Sequence, residues 1–247
     1  MDARMGMVAG FRQAWQILVL LGVFTLGVWA KSSGILDDAL RYQDDILYLA
    51  RQHMELVAIS GGLAVLIGVP LGVFLARASF RILRSVIGQI VNLGTTIPTL
   101  AILAMAMTVF GLGLPSAVFG LTVLTLLPIV LNTVAGIESV PPALIEAARG
   151  MGMTNRQILF KVELPNALFV ILAGLRTAFA INVGTVPLAF LIGGGGLGEL
   201  IFTGIDLMEP GLLLAGAIPT ALLAVLVDAL IGQAQYWLVP RGVNPLR

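Results

Sequence analysis

The sequence predicts an all-α integral membrane protein with six transmembrane helices. Three observations carry this. Hydrophobic residues make up 58% of the chain and charged ones only 11%, against about 45–50% and about 25% in soluble domains. The excess falls in blocks of about twenty residues, the length a helix needs to cross ~30 Å of hydrocarbon. No ten-residue alternation suggests a barrel, and an open strand in lipid would leave its backbone groups unpaired.

The six expected spans are 14–30, 56–76, 86–110, 115–137, 166–192 and 211–231. The first is preceded by Arg4 and Arg12 and ends in Val28-Trp29-Ala30, loosely like a signal-peptide cleavage site. Its apolar run of about seventeen residues exceeds the usual signal core, so it reads as an uncleaved anchor. Trp15 and Trp29 flank it as interface anchors do. The second span carries Gly68-x-x-x-Gly72, a helix-packing pattern. Proline and polar residues interrupt the other four: Pro98 among threonines, then Pro128, Pro187 and Pro219. Polar groups at membrane depth face protein or a water-filled cavity. Thr95, Thr96, Asn132, Asn182 and Thr185 are therefore candidates for a translocation path. Their alternative use is helix–helix hydrogen bonding, worth ~0.6 kcal/mol each.

Two charges lie inside spans. Arg176 is about eleven residues past Pro165, and Asp228 is near the inner end of the sixth span. Both fall in the inner half of the membrane, where a mutual ion pair would neutralise them. Separate snorkelling to the inner interface is the alternative.

Lys and Arg set the orientation. With the N-terminus inside, the inner segments hold Arg4, Arg12, Arg77, Arg81, Arg84, Arg149, Arg156, Lys161, Arg241 and Arg247. The outer segments hold only Lys31, Arg41 and Arg51. Both termini are thus expected in the cytoplasm, and 138–165 becomes a cytoplasmic loop. No linker divides the chain. Residues 1–247 read as one transmembrane domain, with an extra N-terminal span and outer segment (1–55) before a core of five spans (56–233).

Several chemistries are excluded. There are no cysteines and a single histidine, His53, so disulfides, thiolate nucleophiles and a multi-His metal site are absent. His53, beside an outer boundary, reads as an interfacial side chain. No G-x-x-x-x-G-K-[ST], H-E-x-x-H or G-x-S-x-G occurs. Gly193, Gly195 and Gly198 match G-x-G-x-x-G formally, but no strand precedes them; they read as a glycine-rich turn. Nothing points to nucleic acid.

The polar stretch EAARGMGMTNRQILFKVELP, residues 146–165, stands out. It reads as two short helices. Pro141-Pro142 starts the first, and Gly150 and Gly152 close it. Thr154 with Gln157 makes a capping box for the second, with Met153 and Ile158 at the staple positions. That second helix is expected to stop at Leu164-Pro165. The first offers Leu144, Ile145, Ala147, Ala148 and Met151 on a helix too short to stand alone. This fits a knob that docks in another protein's socket, or a helix lying on the membrane surface.

The stretch resembles the EAA motif of ABC importer permeases: Glu-Ala-Ala, three residues, Gly, nine residues, an aliphatic residue, any residue, Leu-Pro. Here these are Glu146-Ala147-Ala148, Gly152 and Val162-Glu163-Leu164-Pro165, with Val162 where Ile is commoner. Residues 146–204, including GLRTAFAINVGT and LIGGGGLGELIFTGI, are similar to the osmoprotectant branch, as is RQHMELVAISGGLAVLIGVPLGVFLAR; the resemblance covers about 51–233. It implies a type I, MetI-like permease fold whose loop forms coupling helices, with Glu146, Ala147, Ala148, Gly152, Leu164 and Pro165 as coupling residues. It further implies two ATP-binding subunits that carry ATP and magnesium, a second permease subunit, identical or related, and an extracytoplasmic substrate-binding protein, all at a bacterial inner membrane. No cofactor is expected in this chain. The implied cargo is a quaternary-amine osmoprotectant (glycine betaine, choline or carnitine), with amino acids or methionine as the alternative. An ion-coupled secondary transporter is the rival class; it would need an acidic site at mid-membrane, and no acidic residue is placed there.

Overall fold

The computed structural model describes residues 41–77 and 96–243, with isolated positions among 20–40 and at 88, 89 and 94. The expected span 14–30 and the first half of 86–110 lie largely outside the described residues. The rest is built from helices. α1 spans Gln43–Arg77, α2 Thr99–Phe110 and α3 Leu114–Glu138. α4, Pro142–Gly150, and α5, Asn155–Ile158, form the loop helices. A π-helical turn, Leu159–Glu163, runs into α6, Leu164–Thr185. A 3-10 turn, Val186–Ile192, follows. α7, Gly198–Asp206, and α8, Pro210–Leu238, complete the described fold. Among the described residues, four stretches are long and apolar enough to cross a membrane: Gln43–Arg77, Leu114–Glu138, Asn155–Ile192 and Pro210–Leu238.

α1 begins well before the expected start at 56, so half of the segment read as an outer loop is helical. Asp44 and Asp45 in its first turn suit the helix dipole. Its 35 residues reach ~52 Å at 1.5 Å each, longer than the hydrocarbon.

α1 packs on α3, α3 on α6, α6 on α8, and α7 on α8. The Gly68-x-x-x-Gly72 pattern faces α3: a Cβ at Gly68 would lie 2.9 Å from Ile129 Cγ2, and one at Gly72 2.5 Å from Thr133 Cβ. Only hydrogen fits there, which lets the backbones approach. The main core unites Leu56 and Val57 of α1 with Leu103, Leu121, Val183 and Val186.

Two prolines mark changes of helix pitch, the first of them where a stop was expected. Pro165 lacks an N–H and its ring crowds the preceding turn. The helix answers with the wider π turn: Leu164 N–H donates to Leu159 O, and Asn166 Nδ2 donates to Val162 O at 2.7 Å. The chain therefore continues into α6 instead of stopping at Leu164-Pro165. Near the other end, Pro187 falls at the start of the 3-10 turn, which ends at left-handed Gly193.

Candidate functional site

The loop 138–165 folds as a compact knob against the C-terminal ends of α1 and α3 and the start of α6. The Thr154–Gln157 capping box forms in both directions, with Thr154 N–H donating to Gln157 Oε1 at 2.8 Å. Gly152 holds φ +77°, which turns the chain between α4 and α5 at no steric cost. Ile145 packs into a cluster with Ile137, Val140, Ala167 and Leu164, and Ala148 is buried. The opposite side of α4 points away from the chain: Glu146, Ala147 and Gly152 are exposed, as are Leu144 and Met151. Leu164 and Pro165 are half-buried at the root of α6. The motif thus divides between a root that fixes the knob and a face that offers apolar surface beside one carboxylate. A face of this kind, on so short a helix, suits insertion into a groove.

The path candidates separate. Asn182 is buried, and its Nδ2 donates to Ser60 Oγ at 2.9 Å. Ser60 in turn donates to Leu56 O at 2.7 Å, and Thr122 Oγ1 reaches Ser60 O at 3.4 Å. This knot ties α1, α3 and α6 together. Asn132 Nδ2 donates to Pro128 O, 2.8 Å away. It lies where α3 meets α6 so closely that a Cβ on Gly174 would come within 2.2 Å of Asn132 Cβ. Thr185 Oγ1 donates back to Ile181 O and Asn182 O, both at 3.0 Å. Thr96 is exposed, and Thr95 lies outside the described residues.

Arg176 of α6 and Asp228 of α8 meet. Nε and Nη2 donate to Oδ1 and Oδ2, each at 2.5 Å, the paired geometry a planar guanidinium makes with a carboxylate. Gly232, one turn after Asp228, lies under the guanidinium; a Cβ there would approach Arg176 Cζ to 3.3 Å. The side chains remain 44% and 36% exposed, so the pair borders the outside of the subunit.

His53 is not interfacial. It is fully buried, and its Nε2 is 3.0 Å from Val183 O. Beside it, Gly196 N–H donates to Gln52 Oε1 at 3.2 Å. Gln52 thereby pins the glycine-rich turn after Ile192, in which Gly193, Gly195 and Gly196 all have positive φ, while His53 holds α6. A lone histidine in an outer segment gave no sign of this, because its partners lie 130 and more positions away.

Residues 68–242 match the family model described as the binding-protein-dependent transport system inner membrane component. An osmoprotectant import permease protein of Salmonella typhimurium, OsmY, is 48% identical over 87% of this chain and 89% of its own. A carnitine transport permease protein of Listeria monocytogenes, OpuCB, is 39% identical over 82% and 92%. Among solved structures, the methionine ABC transporter MetNI in an inward-facing conformation aligns with a TM-score of 0.67. That alignment has 28% identity and covers 80% of this chain and 95% of that one. The chain is a multi-pass inner-membrane permease and belongs to the family of binding-protein-dependent transport system inner membrane components.

Proposed function

We propose that this chain forms the translocation path of an ATP-driven importer of quaternary-amine osmoprotectants: glycine betaine, choline or carnitine. The observation that carries the reading is the outward face of α4, where Glu146, Ala147 and Gly152 of the EAA pattern are exposed beside Leu144 and Met151. That face is suited to the groove of a separate ATP-binding subunit, and the chain itself has no phosphate-binding loop. The names of the relatives support the cargo class.

In this reading the chain is one permease domain of six spans, both termini cytoplasmic, with 14–30 as an extra span before the five-helix core. Two such subunits, identical or related, sit on two ATPases that bind ATP and magnesium. An extracytoplasmic binding protein delivers cargo and supplies most of the selectivity. The Arg176–Asp228 pair bridges α6 and α8 near the inner side and steadies their relative position.

The test joins uptake to binding. Vesicles holding this chain with its ATPase and binding protein are expected to take up radiolabelled choline, glycine betaine or carnitine only when ATP is inside. The binding protein is expected to prefer those cations over methionine. Uptake that follows an ion gradient without ATP, or a binding protein that holds only methionine, overturns the reading.

A further inference from the structure

We infer that Arg77 is a positioning residue that clamps the coupling segment to α1, so that the inner end of α1 moves with it; the inference rests on the coupling role proposed above. Arg77 is the last residue of α1. Its Nη2 donates to Asn155 O at 3.0 Å, and its Nε lies 3.3 Å from Glu163 Oε2. Asn155 opens α5 and Glu163 closes the π turn. One guanidinium therefore grips both ends of the second loop helix.

The grip is selective for charge. The Glu163 side chain is only 9% exposed and that of Arg77 28%. Oε2 of Glu163 has no hydrogen-bond partner among the described residues, so its compensation there is the guanidinium alone. A buried carboxylate without such a partner is costly. The apolar groups beside it, Val73 and Ala76 of α1 and Leu159 and Leu164 of the loop and α6, pack against one shared cluster and offer no charge to answer the carboxylate. Further along α1, Gln52 and His53 hold the outer glycine turn and Val183 O. A displacement of the knob thus has a direct mechanical route into the helix that pins the outer end of the path.

The test separates coupling from mere stability. Arg77→Met, Glu163→Gln and the double variant are reconstituted with the ATPase and binding protein. Uptake of radiolabelled choline and glycine betaine, ATP hydrolysis and the melting temperature of the complex are then measured. Each single variant is expected to melt lower and to spend about threefold or more ATP per molecule imported. The double variant carries no unpaired buried charge. It is expected to regain its melting temperature while keeping the raised ATP ratio.

A ratio that returns to wild type together with stability would make the clamp purely structural and overturn the inference. So would single variants with an unchanged ratio while wild-type uptake depends on ATP. Wild-type uptake of neither probe with ATP would instead overturn the proposed function, and the clamp with it.

Discussion

The outward face of α4 yields a quantitative prediction. Leu144 is 43% exposed and Met151 70%, and neither anchors the helix, which is held by Ile145 and Ala148 on its other side. Fully burying such side chains is worth about 1.5–3 kcal/mol each. Scaled by the exposed fractions, docking would gain about 0.6–1.3 kcal/mol from Leu144 and about 1–2 kcal/mol from Met151. Their sum, about 1.7–3.4 kcal/mol, corresponds to about 20- to 300-fold in Kd. Leu144→Ser/Met151→Ser should therefore weaken ATPase binding by that factor and leave the melting temperature of the isolated permease unchanged. Affinity would be read by titrating the ATPase onto nanodisc-held permease on a biosensor. Val109→Ser, at a 75% exposed position on α2, removes exposed apolar surface outside the knob and should change nothing. A Kd within twofold of wild type in the double variant would refute the assignment of this face as the docking surface.

Two more outcomes follow from close contacts. Gly72→Ala would set a Cβ 2.5 Å from Thr133 Cβ and 3.0 Å from Val130 O, a carbonyl that cannot rotate away. It should destabilise by about 1–3 kcal/mol. Gly62→Ala on the same helix meets nothing within 4 Å and should gain up to about 1 kcal/mol of helix propensity; equal melting temperatures in detergent would count against the close approach. Arg176→Asp and Asp228→Arg should each abolish uptake, and the combined swap should restore it; a double variant as inactive as the singles would remove the pair as the explanation.

What the sequence disclosed was local. The Thr154–Gln157 box closes over three residues, and the EAA spacing lies within twenty, so both are visible in a short window. Orientation within that window was not visible. Leu144, Ile145, Ala147, Ala148 and Met151 looked like one apolar set. Yet Ile145 and Ala148 turn inward while the other three turn out, a division made by the ends of α1 and α3. The polar residues of the spans were harder still. Asn182 was a path candidate because a polar group at membrane depth faces either protein or a water-filled cavity. Its partner, Ser60, is 122 positions away. A hydroxyl on a stripe of small residues, Ser60, Ala64, Gly68 and Gly72, reads as packing, and nothing local marks it as the one that also bonds.

Pro165 misled for a physical reason. Proline removes one N–H and crowds one carbonyl, and the local rule infers an end from that. The rule holds where water can take up the freed carbonyl. At the root of a membrane helix the replacement must come from the protein itself. At Pro165 the turn widens, with Leu164 N–H on Leu159 O, and Asn166 Nδ2 takes up Val162 O beside it. Past Pro187 the helix tightens to 3-10, and Gly193 N–H and Gly194 N–H close on Phe190 O and Ala189 O at 2.9 and 2.8 Å. Both prolines therefore mark a change of pitch inside one helical body running Asn155–Ile192. No loop separates the capped helix α5 from Asn182 and Thr185. The π and 3-10 turns are the two places where that body departs from α-helical pitch.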